Sequence, residues 1–144
     1  MATEFDEGFI VGILVGEGHF GGDGRQPQVT LRMHERHIEM FLWLERTFPG
    51  GRLYGPYNHG GRRYYQWMAR GAFLRDELVP LLERRLGPTI DGYAHSRLSG
   101  MINQYRRQLR MRTDYPKTPD IDRPTSEPAG DQPTSPSDPR PSPE

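Results

Sequence analysis

The longest apolar run in the chain ends on a single acid, Glu17, and has glycine at every fourth position. Residues four apart lie above one another on a helix, so Gly8, Gly12 and Gly16 would form one stripe. Each glycine inside a helix costs roughly 1 kcal/mol relative to alanine. Three in register therefore need a compensating contact, and close approach of another backbone is one. We predict a helix over residues 4–17 whose glycine stripe is closely approached by another stretch of backbone.

Acidic residues at the two ends of this helix have opposite effects on its stability. Thr3 precedes it and is a good N-cap residue, and Glu4, Asp6 and Glu7 lie in the first turn, where the helix dipole favours acids. Glu17 falls at the opposite end, where the dipole disfavours a negative charge. A carboxylate there does little for stability and is well placed if a cation binds beside it. The simpler alternative is an exposed glutamate that follows a helix.

Residues 16–21 also match the glycine pattern G-x-G-x-x-G of dinucleotide-binding loops. That pattern requires a helix directly after the glycines, because the helix N-terminus holds the pyrophosphate. Here a glycine-rich stretch follows, and then residues 28–33 alternate polar and apolar, as a strand does. We therefore prefer the helix interpretation of the apolar run.

Residues 10–18, Ile-Val-Gly-Ile-Leu-Val-Gly-Glu-Gly, resemble the LAGLIDADG motif in the variant that ends Gly-Glu-Gly-x-Phe. The resemblance implies that the motif helix packs on a second copy of itself and that each terminal acid binds divalent metal over DNA. Carried onto this chain, Gly12 and Gly16 take the interface positions and Glu17 becomes the catalytic, metal-binding acid. Gly18 would add a carbonyl oxygen. Oxygen ligands of this kind suit Mg²⁺ or Mn²⁺. Val15 departs from the motif, since many members have aspartate there.

The rest of the chain predicts an α+β fold. The expected order is helix, hairpin, helix, hairpin, helix, helix, over residues 4–17, 19–34, 36–48, 52–70, 72–86 and 91–112. The connection over residues 21–24 is glycine-rich, and we expect it to be mobile or ordered by a ligand. Two helix-hairpin halves imply one mixed four-stranded sheet with helices on one face. This is the αββαββα order of the LAGLIDADG fold, in which the sheet forms a saddle on the DNA major groove.

Such a sheet would leave one polar face open. Gln and Arg side chains can make two hydrogen bonds to adenine and guanine edges, respectively. The predicted outward-facing DNA contacts are Gln28, Thr30, Arg32, Arg52, Tyr54, Gln66 and Arg70. A merely solvated sheet face is the alternative. Arg25, Arg62, Arg63 and the arginines of the last helix are better suited to phosphate contacts.

The formal net charge of zero hides two segments of opposite sign. Residues 1–112 contain 16 Arg against 12 acidic residues, whereas residues 113–144 contain three bases against seven acids. The second segment is rich in Pro, Ser, Thr and Asp, so we predict a folded domain over 1–112 and a disordered acidic tail over 113–144. The chain has no cysteine, which excludes disulfides and thiolate metal sites. No apolar run reaches about 20 residues, so we expect no membrane span and a cytoplasmic protein, associated with the nucleoid in a bacterium.

Together these features lead to two hypotheses. The resemblance implies a site-specific DNA endonuclease of homing type, including intron homing. With one motif per chain it would act as a homodimer on a long pseudo-palindromic double-stranded target, making Mg²⁺-dependent double-strand breaks. Residues 1–112 contain no lysine, although many of these nucleases place one near the metals. The alternative is therefore a non-catalytic nucleic-acid-binding protein, a transcription regulator or RNA-splicing maturase. A metal site at His34 and His37 is not predicted, because these histidines are three residues apart, whereas those of the zinc-binding pattern H-E-x-x-H are four apart.

Overall fold

A computed structural model of the chain describes residues 1–109. These residues form four strands and four helices, in the order α1 (Glu4–Glu17), β1 (Gly18–Gly22), β2 (Pro27–His34), α2 (Ile38–Thr47, after a 3₁₀ turn at Glu35–His37), β3 (Arg52–His59), β4 (Arg62–Arg70), α3 (residues 71–85) and α4 (Gly92–Gln104). A further helical turn follows α4 up to residue 109. The predicted domain end at 112 and the predicted tail over 113–144 lie outside the described residues. No helix among those residues is long and apolar enough to cross a bilayer.

The strands form one sheet in the order β1-β2-β4-β3, and all three pairings are antiparallel. The α+β class and the order of elements are confirmed, but the expectation of a mixed sheet was wrong. The reason lies in the connection through α2, which delivers β3 to the outer edge of the sheet. The chain then turns back, and β4 pairs with β2 in the middle, so that neighbouring strands always run in opposite directions.

One hydrophobic core joins the helices to one face of this sheet. Val29, Leu31, Trp67 and Ala69 point into it from the two central strands and are fully buried. From α1, the residues Ile10, Val11 and Leu14 join the same cluster. The opposite face of the sheet contributes nothing to this cluster, as the alternation of residues in the strands requires.

Helix α1 has the N-terminus that the sequence predicts. The Thr3 hydroxyl accepts from the Asp6 N–H at 3.1 Å, and the Thr3 N–H donates to the Asp6 carboxylate at 2.9 Å, which forms a complete capping box. The helix ends at Gly18, whose N–H donates to the carbonyl of Leu14. A Cβ on Gly18 would lie 2.7 Å from both the Leu14 carbonyl oxygen and Leu14 Cδ2. Only glycine therefore fits where the helix passes directly into β1.

Ion pairs fasten α1 to α3 on the side away from its glycines. Arg85 Nε lies 2.9 Å and Arg84 Nη2 3.1 Å from the carboxylate of Glu7. The hydrogen bond from Arg85 is the main reason why the pKa of Glu7 is lower than usual. Within α3, the turn Leu74–Leu78 is π-helical. Pro80 follows two residues after it and has no N–H to donate within the helix.

Candidate nucleic-acid interface

The sheet face turned away from the helices carries all seven residues that were predicted as outward-facing DNA contacts. In antiparallel pairs, residues directly opposite each other share a face. Gln28 pairs with Arg70 and Arg32 with Gln66, while Thr30, Arg52 and Tyr54 fall on the same face by register. We call this surface the open face. The structure thus brings all seven residues together, and their contact with DNA stays a prediction.

The register adds residues to the open face that were not included in the predicted set. His19 pairs with Thr30, and His34 pairs with Tyr64. Met68 lies between Thr30 and Arg52 and gives the middle of the face an apolar side chain. Each has the same position in the alternation as the predicted residues, so counting by twos from Gln28 or Gln66 would have found His34, Tyr64 and Met68.

Charge is strongly segregated between the sheet and the rest of the molecule. The four strands contain five arginines and neither aspartate nor glutamate: Arg32, Arg52, Arg62, Arg63 and Arg70. All 12 acidic residues of the described chain lie in its helices and connections. Of the five, Arg63 has its Nε 3.0 Å from the carboxylate of Glu35, in the turn after β2. A surface rich in arginine attracts a polyanion. The molecule is therefore polarised, with its sheet basic although its total charge is zero.

The connection between β1 and β2 is held by the chain's own C-terminal helical segment, contrary to the expectation that it is mobile or ordered by a ligand. The Tyr105 hydroxyl accepts from the Gly24 N–H at 2.9 Å, and Gln108 Nε2 donates to the Arg25 carbonyl at 2.7 Å. Gly22 leaves the space that the Tyr105 ring fills. The chain therefore fixes this end of the sheet without any bound molecule.

Asp23 folds the same connection from inside. Its Oδ1 accepts from the N–H groups of Arg25 at 2.8 Å and Gln26 at 2.7 Å. Partial burial alone would raise the pKa of Asp23, but these backbone donors outweigh it and hold the pKa below its usual value. The carboxylate form is therefore the one that orders the loop.

A cluster of cationic and aromatic side chains occupies the other end of the open face. Arg32 donates from Nη2 at 2.8 Å and from Nε at 3.2 Å to Gln66 Oε1, and its Cζ lies 5.2 Å from the centre of the Tyr64 ring. A cavity of about 280 Å³ opens beside this cluster. Its lining residues are Arg32, Met33, His34, His59, Arg62, Arg63 and Tyr64. Cationic donors around a ring suit a phosphate next to a nucleoside.

Glu17 is exposed at the end of α1 and leads straight into the sheet. Because Gly18 pairs with Leu31, Glu17 lies at the end of β2 that also carries Arg32 and His34. The described residues contain no group of three or more His, Asp or Glu side chains that could hold a metal ion. His34 instead caps the following 3₁₀ turn, because its Nδ1 accepts from the Arg36 N–H at 3.0 Å.

The glycines of α1 face open space. A Cβ built on Gly8, Gly12 or Gly16 meets no described atom within 4 Å. By contrast, Gly18 and Gly22 have no room for a side chain because the chain itself fills the space. We call residues 8, 12 and 16 the glycine ridge. No close approach of another part of residues 1–109 accounts for these three glycines, and the predicted packing partner of the ridge stays a prediction.

Comparison with known proteins shows the fold but no relative by sequence. No family model and no curated protein matches the chain. Among solved structures, the group I intron-encoded homing endonuclease I-CeuI, complexed with DNA, aligns over 79% of this chain at 13% identity with a TM-score of 0.56. The homing endonuclease I-TnaI aligns over 79% at 19% identity with a TM-score of 0.52. The chain spans 58% of the I-CeuI chain and 77% of the I-TnaI chain.

The chain has the fold of the LAGLIDADG homing endonucleases, as the motif in α1 implied. At these identities the likeness establishes the fold, and the activity of the chain has to be argued from its own residues.

Proposed function

We propose that this protein is a homing-type, site-specific DNA endonuclease that acts as a homodimer with Mg²⁺ or Mn²⁺. The observation that carries the proposal is the position of Glu17. A single helix, α1, presents the glycine ridge outward and delivers this carboxylate to the edge of an arginine-bearing sheet without acids. The double-stranded DNA would lie across the open face.

The glycine ridge supports the proposal that a second copy of the chain is present. Two α1 helices that pack along Gly8, Gly12 and Gly16 can approach closely, because no side chain separates their backbones. A two-fold axis between them makes the interface self-complementary and places the two open faces side by side. The combined surface would read a long pseudo-palindromic target, one half-site for each copy. Each Glu17 would then lie near the axis, over the middle of the target.

The donors fit a divalent cation only in such a dimer. One chain offers the Glu17 carboxylate and the Gly18 carbonyl, which are too few to hold Mg²⁺ alone. Two Glu17 carboxylates brought together would repel each other without a cation, and DNA phosphate oxygens and water would complete an oxygen shell. When bound, the metal supplies an activated water and stabilises the leaving oxygen of the phosphodiester. The arginines of the open face would bind and orient the backbone on either side.

Glu17→Gln tests this role with little change in shape. We expect the wild-type protein to cut a subset of a random duplex library when Mg²⁺ or Mn²⁺ is added. The variant should bind the selected sites with similar affinity and cut none of them. Glu45→Gln, at another exposed glutamate near a helix end, is the matched control and should cut normally. Cleavage of the selected sites by the Glu17→Gln protein would remove Glu17 from the catalytic role.

One observation favours a second candidate function, a non-catalytic nucleic-acid-binding protein such as a transcription regulator or an RNA-splicing maturase. Residues 1–109 contain no lysine, and the arginines in its place are too basic to accept a proton from water. Retained, sequence-selective binding with no nicking in Mg²⁺ or Mn²⁺ would establish this function instead. Binding competitions between the selected duplex and structured RNA would then distinguish a transcription regulator from an RNA-splicing maturase.

A further inference from the structure

Arg32 and Gln66 form one hydrogen-bonded unit on the open face. They are direct cross-strand partners on β2 and β4. Both Arg32 Nε and Arg32 Nη2 donate to the same atom, Gln66 Oε1. The orientation of the Gln66 amide is dictated by chemistry, because a guanidinium has only donors and must face the carbonyl oxygen. Two donors occupy the two lone pairs of that oxygen.

This coupling changes what Gln66 can recognise. A free glutamine reads adenine by accepting from the N6 amino group while donating to N7. With Oε1 engaged by Arg32, Gln66 keeps only its N–H donors, and Arg32 keeps the N–H groups not used in the pair. The unit therefore presents donors alone. Guanine is the base whose major-groove edge offers two acceptors, N7 and O6, and no donor.

The unit is also held in place before any DNA arrives. The Arg32 guanidinium lies over the Tyr64 ring at 5.2 Å from Cζ to the ring centre, an arrangement that favours a cation. No acid of the four strands competes for it. Ordering a free arginine on binding carries an entropic penalty, and an arginine fixed by two neighbours avoids most of it.

We propose that Arg32 and Gln66 act together to select guanine at one position of each half-site. This inference rests on the proposed DNA recognition by the open face. It assigns to Gln66 a base preference that a free glutamine would not have. Arg32 sets the specificity of Gln66 by occupying its acceptor.

The decisive variant is Arg32→Ala, because it frees the Gln66 carbonyl without touching Gln66. Binding-site selection from a random duplex library, followed by sequencing of the bound fraction, gives the base preference at every position. We expect the wild-type protein to prefer guanine over adenine roughly tenfold to a hundredfold at one position per half-site. In Arg32→Ala the preference at that position should switch to adenine. Gln66→Leu should keep a weakened guanine preference, because Arg32 remains.

Arg46→Ala is the matched control, since it removes an exposed arginine from α2, away from the open face, and leaves the pair intact. Its guanine preference at the diagnostic position should equal that of the wild type. If Arg32→Ala lowers affinity for all sequences equally, or leaves the preference at each position unchanged, the coupled unit is refuted while DNA recognition stands. If the wild-type protein selects no sequence at all, DNA recognition by the open face fails first, and this inference fails with it.

Discussion

Replacing Gly12 by alanine gives opposite results according to whether the glycine ridge is open or paired. In an isolated chain the new Cβ meets no described atom within 4 Å. Alanine then removes the helix penalty of glycine, and the free energy of unfolding should rise by roughly 1 kcal/mol. For a folded unit of this size that corresponds to an increase in Tm of about 4–8 °C.

In a dimer packed along the ridge, the same methyl group must push the partner helix away. Overpacking of a well-fitted contact costs roughly 1–3 kcal/mol, and two-fold symmetry places the substitution on both copies. The dimer should therefore weaken by about 2–6 kcal/mol, or between one and a half and four orders of magnitude in Kd. The gain in helix propensity is present in the free and the paired chain alike, so it cancels from this equilibrium.

Sedimentation and thermal unfolding over a range of protein concentrations measure both quantities. Gly100→Ala is the matched control, because Gly100 lies in the exposed part of α4 and its Cβ would also meet open space. It should stabilise the fold and leave association unchanged. If Gly12→Ala behaves like Gly100→Ala in both assays, the ridge is not an interface and the homodimer argument is wrong.

Two further predictions follow from contacts within the chain. Tyr105→Phe removes the acceptor for the Gly24 N–H, so hydrogen exchange at that amide should accelerate by about fivefold to tenfold, as expected for a net loss of ~1 kcal/mol. Exchange at the Gly60 amide, in the other hairpin, should stay unchanged. Equal acceleration at both amides would mean that the substitution destabilises the whole fold. Arg85→Ala removes the main cause of the low pKa of Glu7, so an NMR titration should show that pKa rising towards its usual value. Because a depressed carboxyl pKa contributes stability above the usual value and loses it as pH falls through the folded one, the variant should lose less stability than the wild type on acidification through that window, and an unchanged Glu7 pKa would contradict the assignment.

The features that the sequence predicted correctly depend on local periodicity. Alternation in β2 and β4 placed Gln28, Arg32 and Gln66 on one face, because a strand repeats every two residues whatever its neighbours do. The N-cap residue of α1, Thr3, is likewise a local signal. These patterns were enough to predict the α+β class and the membership of the open face.

The features that the sequence missed depend on which distant residues meet. The direction of β4 relative to β2 is set by where the chain returns after α2, and no local pattern encodes that. The Arg32–Gln66 pair requires the register between strands 34 residues apart. The β1–β2 connection is held in one conformation by Tyr105, which lies about 80 residues further along the chain and fills the space beside Gly22. A glycine-rich loop by itself carries no sign of such a partner.

The division of each strand between two faces has a consequence for how this surface can change over time. Residues such as Thr30 and Gln66 point away from the core, whereas their neighbours Leu31 and Trp67 fill it. Exchanges at surface positions usually alter folding stability by less than about 0.5 kcal/mol. Under the proposed DNA recognition, such chains can change the nucleotide sequence that they prefer one side chain at a time, without first gaining extra folding stability. The exposed positions that can change and the core positions that maintain the fold alternate within the same few strands.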